Sequence, residues 1–265
     1  MIKITHICAV ALVAAGVSSS AYAADMRMPV KAAPPPLAAV FSWTGFYIGV
    51  NGGGAFGQNR NVIVNETFAG APFVSGTWPG SGRFGSLDPS GGFGGGQIGY
   101  NYQVQNWVWG IEADIQGASI KDSAGATLPY IGGLNTITVN SSQKVDWFGT
   151  VRGRVGLAFD RVLVYATGGL AYGQTTYSLA MTDTFGFVAA GSNKNTRTGW
   201  VAGAGIEWAF APNWSLKGEY QYIDLGRRSL ALPETTLAGA PTAFAINSSV
   251  RTELHTGRIG INYRF

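Results

Sequence analysis

Three sets of residues in this 265-residue chain have types and spacings that could do chemistry. The first is Gly94-Gly95-Gly96-Gln97-Ile98-Gly99, which fits the G-x-G-x-x-G pattern of a phosphate cradle. That chemistry needs the glycines to follow a strand and open a helix; here they follow a loop and open a strand, so the match is discounted. The second is His255, the one histidine beyond the first 23 residues. No second histidine joins it to hold a metal, and two residues on stands Gly257, not a hydroxyl, so no Ser–His pair is expected. The third set is charged residues spaced two apart: Glu112 and Asp114, Arg152 and Arg154, Lys217 and Glu219. A spacing of two puts both members on one face of a strand. Acids and bases on the same faces of neighbouring strands form ion pairs, which is structural chemistry. No catalytic residue, cofactor or metal is expected.

The elements that must position these charges alternate with a period of two. Eight such segments are read at about 43–58, 91–104, 107–121, 143–159, 161–178, 197–210, 214–228 and 250–265. Gln105-Asn106, Asp160-Arg161 and Ala211-Pro212-Asn213 make tight turns. The intervals 59–90, 122–142, 179–196 and 229–249, rich in Gly, Ser, Thr, Asn and Pro, read as long loops. Within the second of these, the alternation of Asn135-Thr136-Ile137-Thr138-Val139 suggests that strands extend above the membrane. Short turns at one end and long loops at the other predict an all-β, eight-stranded antiparallel transmembrane up-and-down β-barrel. An even strand count returns the last strand to the short-turn end.

Alternation alone fits a soluble barrel as well. Aromatic placement favours lipid. Trp107, Phe159, Trp208, Phe210, Trp214 and Phe265 fall beside the short turns; Trp147, Trp200 and Tyr222 fall near the long loops. From Trp147 to Phe159 is roughly 28 Å of height on a strand tilted about 45°. Two aromatic girdles around an apolar band suit a bilayer, because Trp and Tyr favour the headgroup level.

Residues 1–23 carry Lys3, an apolar run from Ile7 to Val17 and an Ala21-Tyr22-Ala23 ending. This predicts a cleaved secretory signal peptide, with the cut between Ala23 and Ala24. Cys8, the single cysteine, lies within it, so no disulfide is expected. Residues 24–41, with Pro29, Pro34, Pro35 and Pro36, read as an extended periplasmic lead-in to a barrel over 42–265. The net charge of +4 comes with no basic run, so nucleic acid is not an expected partner.

Ala23-Ala24-Asp25, Pro29-Val30-Lys31-Ala32, Phe41-Ser42-Trp43-Thr44-Gly45-Phe46-Tyr47-Ile48-Gly49 and the closing Gly257–Phe265 resemble the eight-stranded outer-membrane barrel-domain family, OmpA/OmpX-like. Within it they are most similar to small alphaproteobacterial surface proteins of the RopB type. The resemblance implies the cell outer membrane, a structural or surface role, and a barrel that is the whole protein. It also implies that the final strand, through Tyr263 and Phe265, is the signal read by the barrel-assembly machinery.

An eight-stranded lumen is narrow enough for side chains to fill. The expected inward set is Glu112, Asp114, Asp146, Glu207 and Glu219 against Lys144, Arg152, Arg154, Lys217 and Arg258. Five acids facing five bases predict a plugged lumen, with a small porin-like channel as the alternative. Arg60, Lys121, Lys144, Lys194, Arg197, Arg227, Arg228 and Arg251 fall near the long-loop rim. They suit lipopolysaccharide phosphates or, equally, ordinary snorkelling and pairing with Asp122, Asp146 and Asp224. The loops, with Phe68, Phe73, Trp78, Phe84, Leu230, Leu232, Leu237 and Phe244, are candidates for binding a host or surface ligand.

Overall fold

The computed structural model describes residues 41–57, 60–72, 81–130, 135–236 and 238–265. The expected signal peptide, its Ala23/Ala24 cleavage and the lead-in up to residue 40 lie outside these residues. So do Phe73, Trp78 and Leu237 and the side chains of Arg60, Phe84 and Arg228.

The described residues form eleven strands: β1 (Gly45–Gly57), β2 (Arg60–Phe68), β3 (Ala71–Pro72), β4 (Ser81–Leu87), β5 (Ser90–Val104), β6 (Trp107–Tyr130), β7 (Asn135–Phe159), β8 (Val162–Asp183), β9 (Phe187–Ala209), β10 (Trp214–Thr236) and β11 (Pro241–Arg264). Eight of them, β1 and β5 to β11, pair antiparallel in sequence order. The ring closes where β1 meets β11, from Tyr47 opposite Arg264 to Gly57 opposite Leu254. Closure satisfies the main chain around the whole circumference, which a bilayer demands. Ile48, Val50, Ile98, Ile111, Ile115, Leu170, Ile206 and Ile259 point outward and are exposed. Gln105 and Asp160 take φ of 55° and 53°, the left-handed conformation that tight hairpins use. The end with these turns is called the near end below.

The expected long loops at 122–142, 179–196 and 229–249 are corrected by the structure. β6, β7, β8, β9, β10 and β11 run on for up to ten further residues, joined at the far end by short connections. The physical reason is alternation: Ile137, Val139, Leu179, Met181, Leu230, Leu232 and Ile246 are buried inside the extension while their neighbours face out. There β1 and β5 have ended, and β2 takes the place of β1 beside β11, with Phe68 opposite Phe244 and Ile63 opposite Ser249. β4 in turn pairs with β2. Between β9 and β10 the ladder lapses after Trp200 opposite Asp224 and resumes only at Val188 opposite Thr235. The far end is thus two four-stranded leaves, β6-β7-β8-β9 and β10-β11-β2-β4, over one apolar core.

The pairing of β6 with β7 slips between Gly117 and Ile120, opposite Val145 and Trp147. The slip changes which alternate residues face inward, and it sets the contents of the upper lumen.

Inward glycines fit because nothing else does. A Cβ on Gly95 would come within 2.0 Å of the Ile115 carbonyl oxygen and 2.8 Å of Gln116 Cα, whereas one on outward Gly94 would meet only Asn51 O at 3.6 Å. Gly95→Ala should lower stability by about 1–3 kcal/mol, the usual cost of overpacking. Gly94→Ala should change it by less than about 0.5 kcal/mol. Urea unfolding in lipid vesicles, followed by tryptophan fluorescence, checks the pair, and equal effects would contradict the close fit.

Candidate functional site

The lumen is stacked in layers. At the near end Trp43, Val108, Ala158, Leu163, Tyr165 and Ala209 form an apolar floor. Trp43 is fixed there by donating its indole N–H to Asp160 O at 3.1 Å and its main-chain N–H to Gln103 Oε1 at 2.7 Å. Arg264 lies over the Phe41 ring at 4.3 Å. Between Trp43, Tyr47, Asn101 and Glu207 the space is about 10 Å³, the room of roughly one water.

Above the floor lies the charge cluster. Three acid–base pairs sit directly opposite one another in the ladder: Glu112 and Arg152, Glu207 and Lys217, Glu219 and Arg258. Cross-links join them. Arg152 bridges Glu112, Asp114 (3.1 Å) and Glu219 (2.6 Å). Arg258 reaches Glu219 (2.6 Å), Asp114 (3.0 Å) and Glu112 (3.2 Å). Lys217 Nζ lies 2.9 Å from both Glu112 oxygens, and Arg154 reaches Glu207 at 2.7 Å. Neutral donors fill the remaining lone pairs: Tyr47 O–H to Glu112 at 2.8 Å, Tyr165 O–H to Glu219 at 2.6 Å, and Thr150 O–H to Asp114 at 2.8 Å. The guanidinium of Arg154 also stacks on Tyr165 at 4.3 Å. All eight charged side chains are buried.

Asp146 and Lys144, expected in this cluster, are not part of it. The slip of β6 against β7 turns both outward, where Lys144 Nζ lies 2.5 Å from Asp146 and Lys194 Nζ 3.8 Å from it. The change removes one acid and one base, leaving four of each.

The layers above the cluster were not legible from uniform alternation. Ala55, Phe93, Ile120, Val145, Phe148, Ala171, Val201, Ile223, Leu225 and Leu254 form a second apolar layer. Val145 enters it because of the same slip, whereas Ile120 keeps the inward phase of Glu112, Asp114 and Gln116. Then come polar contacts, Gln143 to Thr252 at 2.6 Å and Tyr177 with Ser248 at 2.8 Å, and above them the far-end core. The signal in the sequence was available: Lys144 and Asp146 stand at positions that strict alternation from Phe148, Thr150, Arg152 and Arg154 would turn inward, with apolar Val145 between them.

On the outer wall, Trp107, Phe159, Trp208, Trp214 and Phe265 are exposed around the near end. Higher up, Trp147 packs on Tyr172 at 6.1 Å and Trp200 on Tyr222 at 5.2 Å. Tyr263 packs between Trp214 and Phe265, at 5.1 and 5.2 Å. His255 faces outward, stacked on Phe56 and hydrogen-bonded to Tyr220, a place in the wall and not in the lumen.

A closed antiparallel ring with an apolar exterior and a polar, filled interior is the anatomy of a bacterial outer-membrane barrel. The family model for the outer membrane protein beta-barrel domain matches residues 9–265. The chain belongs to this family. It is a protein of the outer membrane. It is similar to the 31 kDa outer-membrane immunogenic protein of Brucella melitensis, at 39% identity over 96% of this chain and 98% of the relative. It is also similar to the 25 kDa outer-membrane immunogenic protein of Brucella abortus, at 28% identity over 94% and 92%. Among solved structures, the outer membrane protein OprG of Pseudomonas aeruginosa aligns with a TM-score of 0.49 at 13% identity, over 85% of this chain and 99% of that one.

This outer-membrane barrel buries one acid in its far-end extension under different terms. Glu234 is 3% exposed, and burial together with Glu66 and Asp183 pushes its carboxyl up to about 7 from an ordinary 4.5. A raised carboxyl pKa stabilises the fold below the unfolded value, and that stability is lost as pH rises through the folded one. The extension should therefore loosen between about pH 4.5 and 7 and stay looser above. Hydrogen exchange at Leu230 and Leu232, corrected for its intrinsic pH dependence, should accelerate over that window. Glu234→Gln should flatten the profile; an unchanged profile in that variant would rule the assignment out.

Proposed function

We propose that this protein is a sealed, non-enzymatic barrel that serves the structure of the outer membrane and presents its far-end extension at the cell surface. The observation that carries the reading is the filling of the lumen, a charge-balanced cluster of four acids and four bases held between two apolar layers. Ions crossing it would have to displace ion pairs and then pass a dry layer, and each step costs several kcal/mol or more. The titratable groups are committed to one another, which supports a structural rather than a catalytic role. The near end, with Phe265 and the short turns, faces the periplasm; Tyr263 and Phe265 are the face offered to the assembly machinery.

In planar bilayers the refolded protein should insert and pass no steady current. Discrete, reproducible channels would put a small porin first. Joint replacement of Arg152 and Arg154 by Ala should cost about 3–5 kcal/mol or more, because it strands buried carboxylates. A double variant as stable and as silent as the parent would sink the plug.

A second observation favours lipopolysaccharide as the lipid partner. Just above the Trp147 level, Lys121 stands directly opposite Lys144, and Arg227 directly opposite Arg251. Like charges so paired repel; Asp146 offsets the Lys144 member of the first pair, and Asp224 and Glu253 the Arg251 member of the second. Phosphate groups in the outer leaflet would remove the repulsion. Lys121→Glu with Lys144→Glu should reduce the lipopolysaccharide that co-purifies by at least about two-fold, at about tenfold per 1.4 kcal/mol of lost affinity; undiminished co-purification would refute this pairing.

A further inference from the structure

The lapse in pairing between β9 and β10 leaves two strands side by side with main-chain edges that do not form a ladder. It spans the residues between Val188 and Trp200 on β9 and those between Asp224 and Thr235 on β10. Both are strands throughout; on its other side β9 is laddered to β8 without a break, and β10 to β11 with register shifts between Asp224 and Arg227 and between Pro233 and Thr235. At the near limit of the gap Gly199 lies against the main chain of Asp224 and Leu225, where a Cβ would come within 2.9 Å of Leu225 Cα; farther along, a Cβ on Gly191 would lie 2.3 Å from Leu232 Cδ2, and Arg197 Nη1 donates to Arg227 O at 3.2 Å. Asn195 lies on the inward alternation of β9, in step with Ala189, yet it is exposed. The gap therefore opens to the outside at that height.

Its chemistry is one-sided. From 189 to 199 and from 225 to 234 the sequence holds Lys194, Arg197, Arg227 and Arg228, and a single acid, Glu234. Glu234 is buried at the far limit of the gap, and the Arg227 side chain is exposed. Cations and Pro233 on an edge discourage pairing with a second copy of the same edge. The same cations attract carboxylates.

We propose that the β9–β10 gap is a docking site for an extended, acidic segment of a partner polypeptide, which adds as a strand. The main chain of the partner would satisfy the unladdered edges, and its carboxylates would meet Arg197, Arg227 and Lys194. The proposal rests on the reading that the extension stands outside the cell, and the test below does not depend on whether the lumen conducts.

The test uses the full folded protein in zwitterionic phosphatidylcholine vesicles, with a ten-residue peptide of alternating glutamate and threonine as probe. In the free protein the edge amides of 189–199 should exchange at least tenfold faster than those of β8 at the same height, Tyr177–Thr182. Saturating peptide should slow them by at least tenfold. Equal protection before peptide is added, or no slowing after, overturns the proposal. A lysine–threonine peptide and an acidic peptide N-methylated at alternate residues should each bind at least tenfold more weakly. Equal binding of the first removes the acidic preference, and equal binding of the second removes strand addition in favour of plain charge attraction. Arg197→Glu should weaken the acidic peptide at least tenfold while leaving the heat-dependent gel mobility of the folded barrel unchanged; undiminished binding by that variant also overturns the site. Concentration-dependent dimerisation that protects the same amides without peptide would assign the gap to a second copy instead.

Discussion

Glu112 meets all four cations of the lumen: Arg152, Lys217, Arg154 and Arg258. One carboxylate cannot balance four positive charges, so the arrangement is stable only because Asp114, Glu207 and Glu219 stand within reach of the same cations. A charge taken out of water costs several kcal/mol unless it is paired and hydrogen-bonded. Each member of the cluster is therefore a constraint on the register of at least two strands. A slip of one residue in β6, β7, β9, β10 or β11 would turn one of these charges into lipid. The cluster specifies the ring as much as it stabilises it.

That constraint loosens with height. Above the cluster the lumen holds apolar side chains, which tolerate the slip of β6 against β7 because no ion pair is at stake there. Val145 and Phe148 both point inward on either side of the slip, and Lys144 and Asp146 are released to the surface. Strict alternation through 143–159 is thus correct from Phe148 downward and wrong above it. A second irregularity, at Asp224 and Arg227 with Gly226 at a φ of 78°, likewise begins the stretch in which β10 parts from β9.

What could be read from the sequence follows the same division. The ring, its eight strands, its near-end turns and the inward acids and bases from Glu112 to Arg258 come from a period of two bounded by short turns, a local signal. The far-end extension was legible only at Asn135–Val139; elsewhere Gly, Ser, Thr and Asn suggest loops, and the alternation that makes 179–181 a strand is brief and has its partners far away in sequence. The apolar layers were hidden because a polar lumen was assumed throughout. Only the pairing across strands shows that Ile120, Val145 and Leu254 share one height. Replacement of β1 by β2 beside β11 has no local signal, since it depends on where Gly57 ends one pairing and Ile63 begins another.

The exchange of β1 for β2 also explains why the extension has two leaves instead of a continued ring. A closed wall needs each strand to carry on, and β1 and β5 stop at Gly57 and Ser90. Their successors β2 and β4 complete a leaf with β10 and β11, so the chain there obeys the rules of sheets packed face to face, with an apolar core between them. Such a sandwich has edges, and edges in water need either guards or partners. In the membrane the ring has none to guard. The basic residues along β9 and β10 therefore occur where the architecture changes from barrel to sandwich, because only there does the main chain need an answer from outside the ladder.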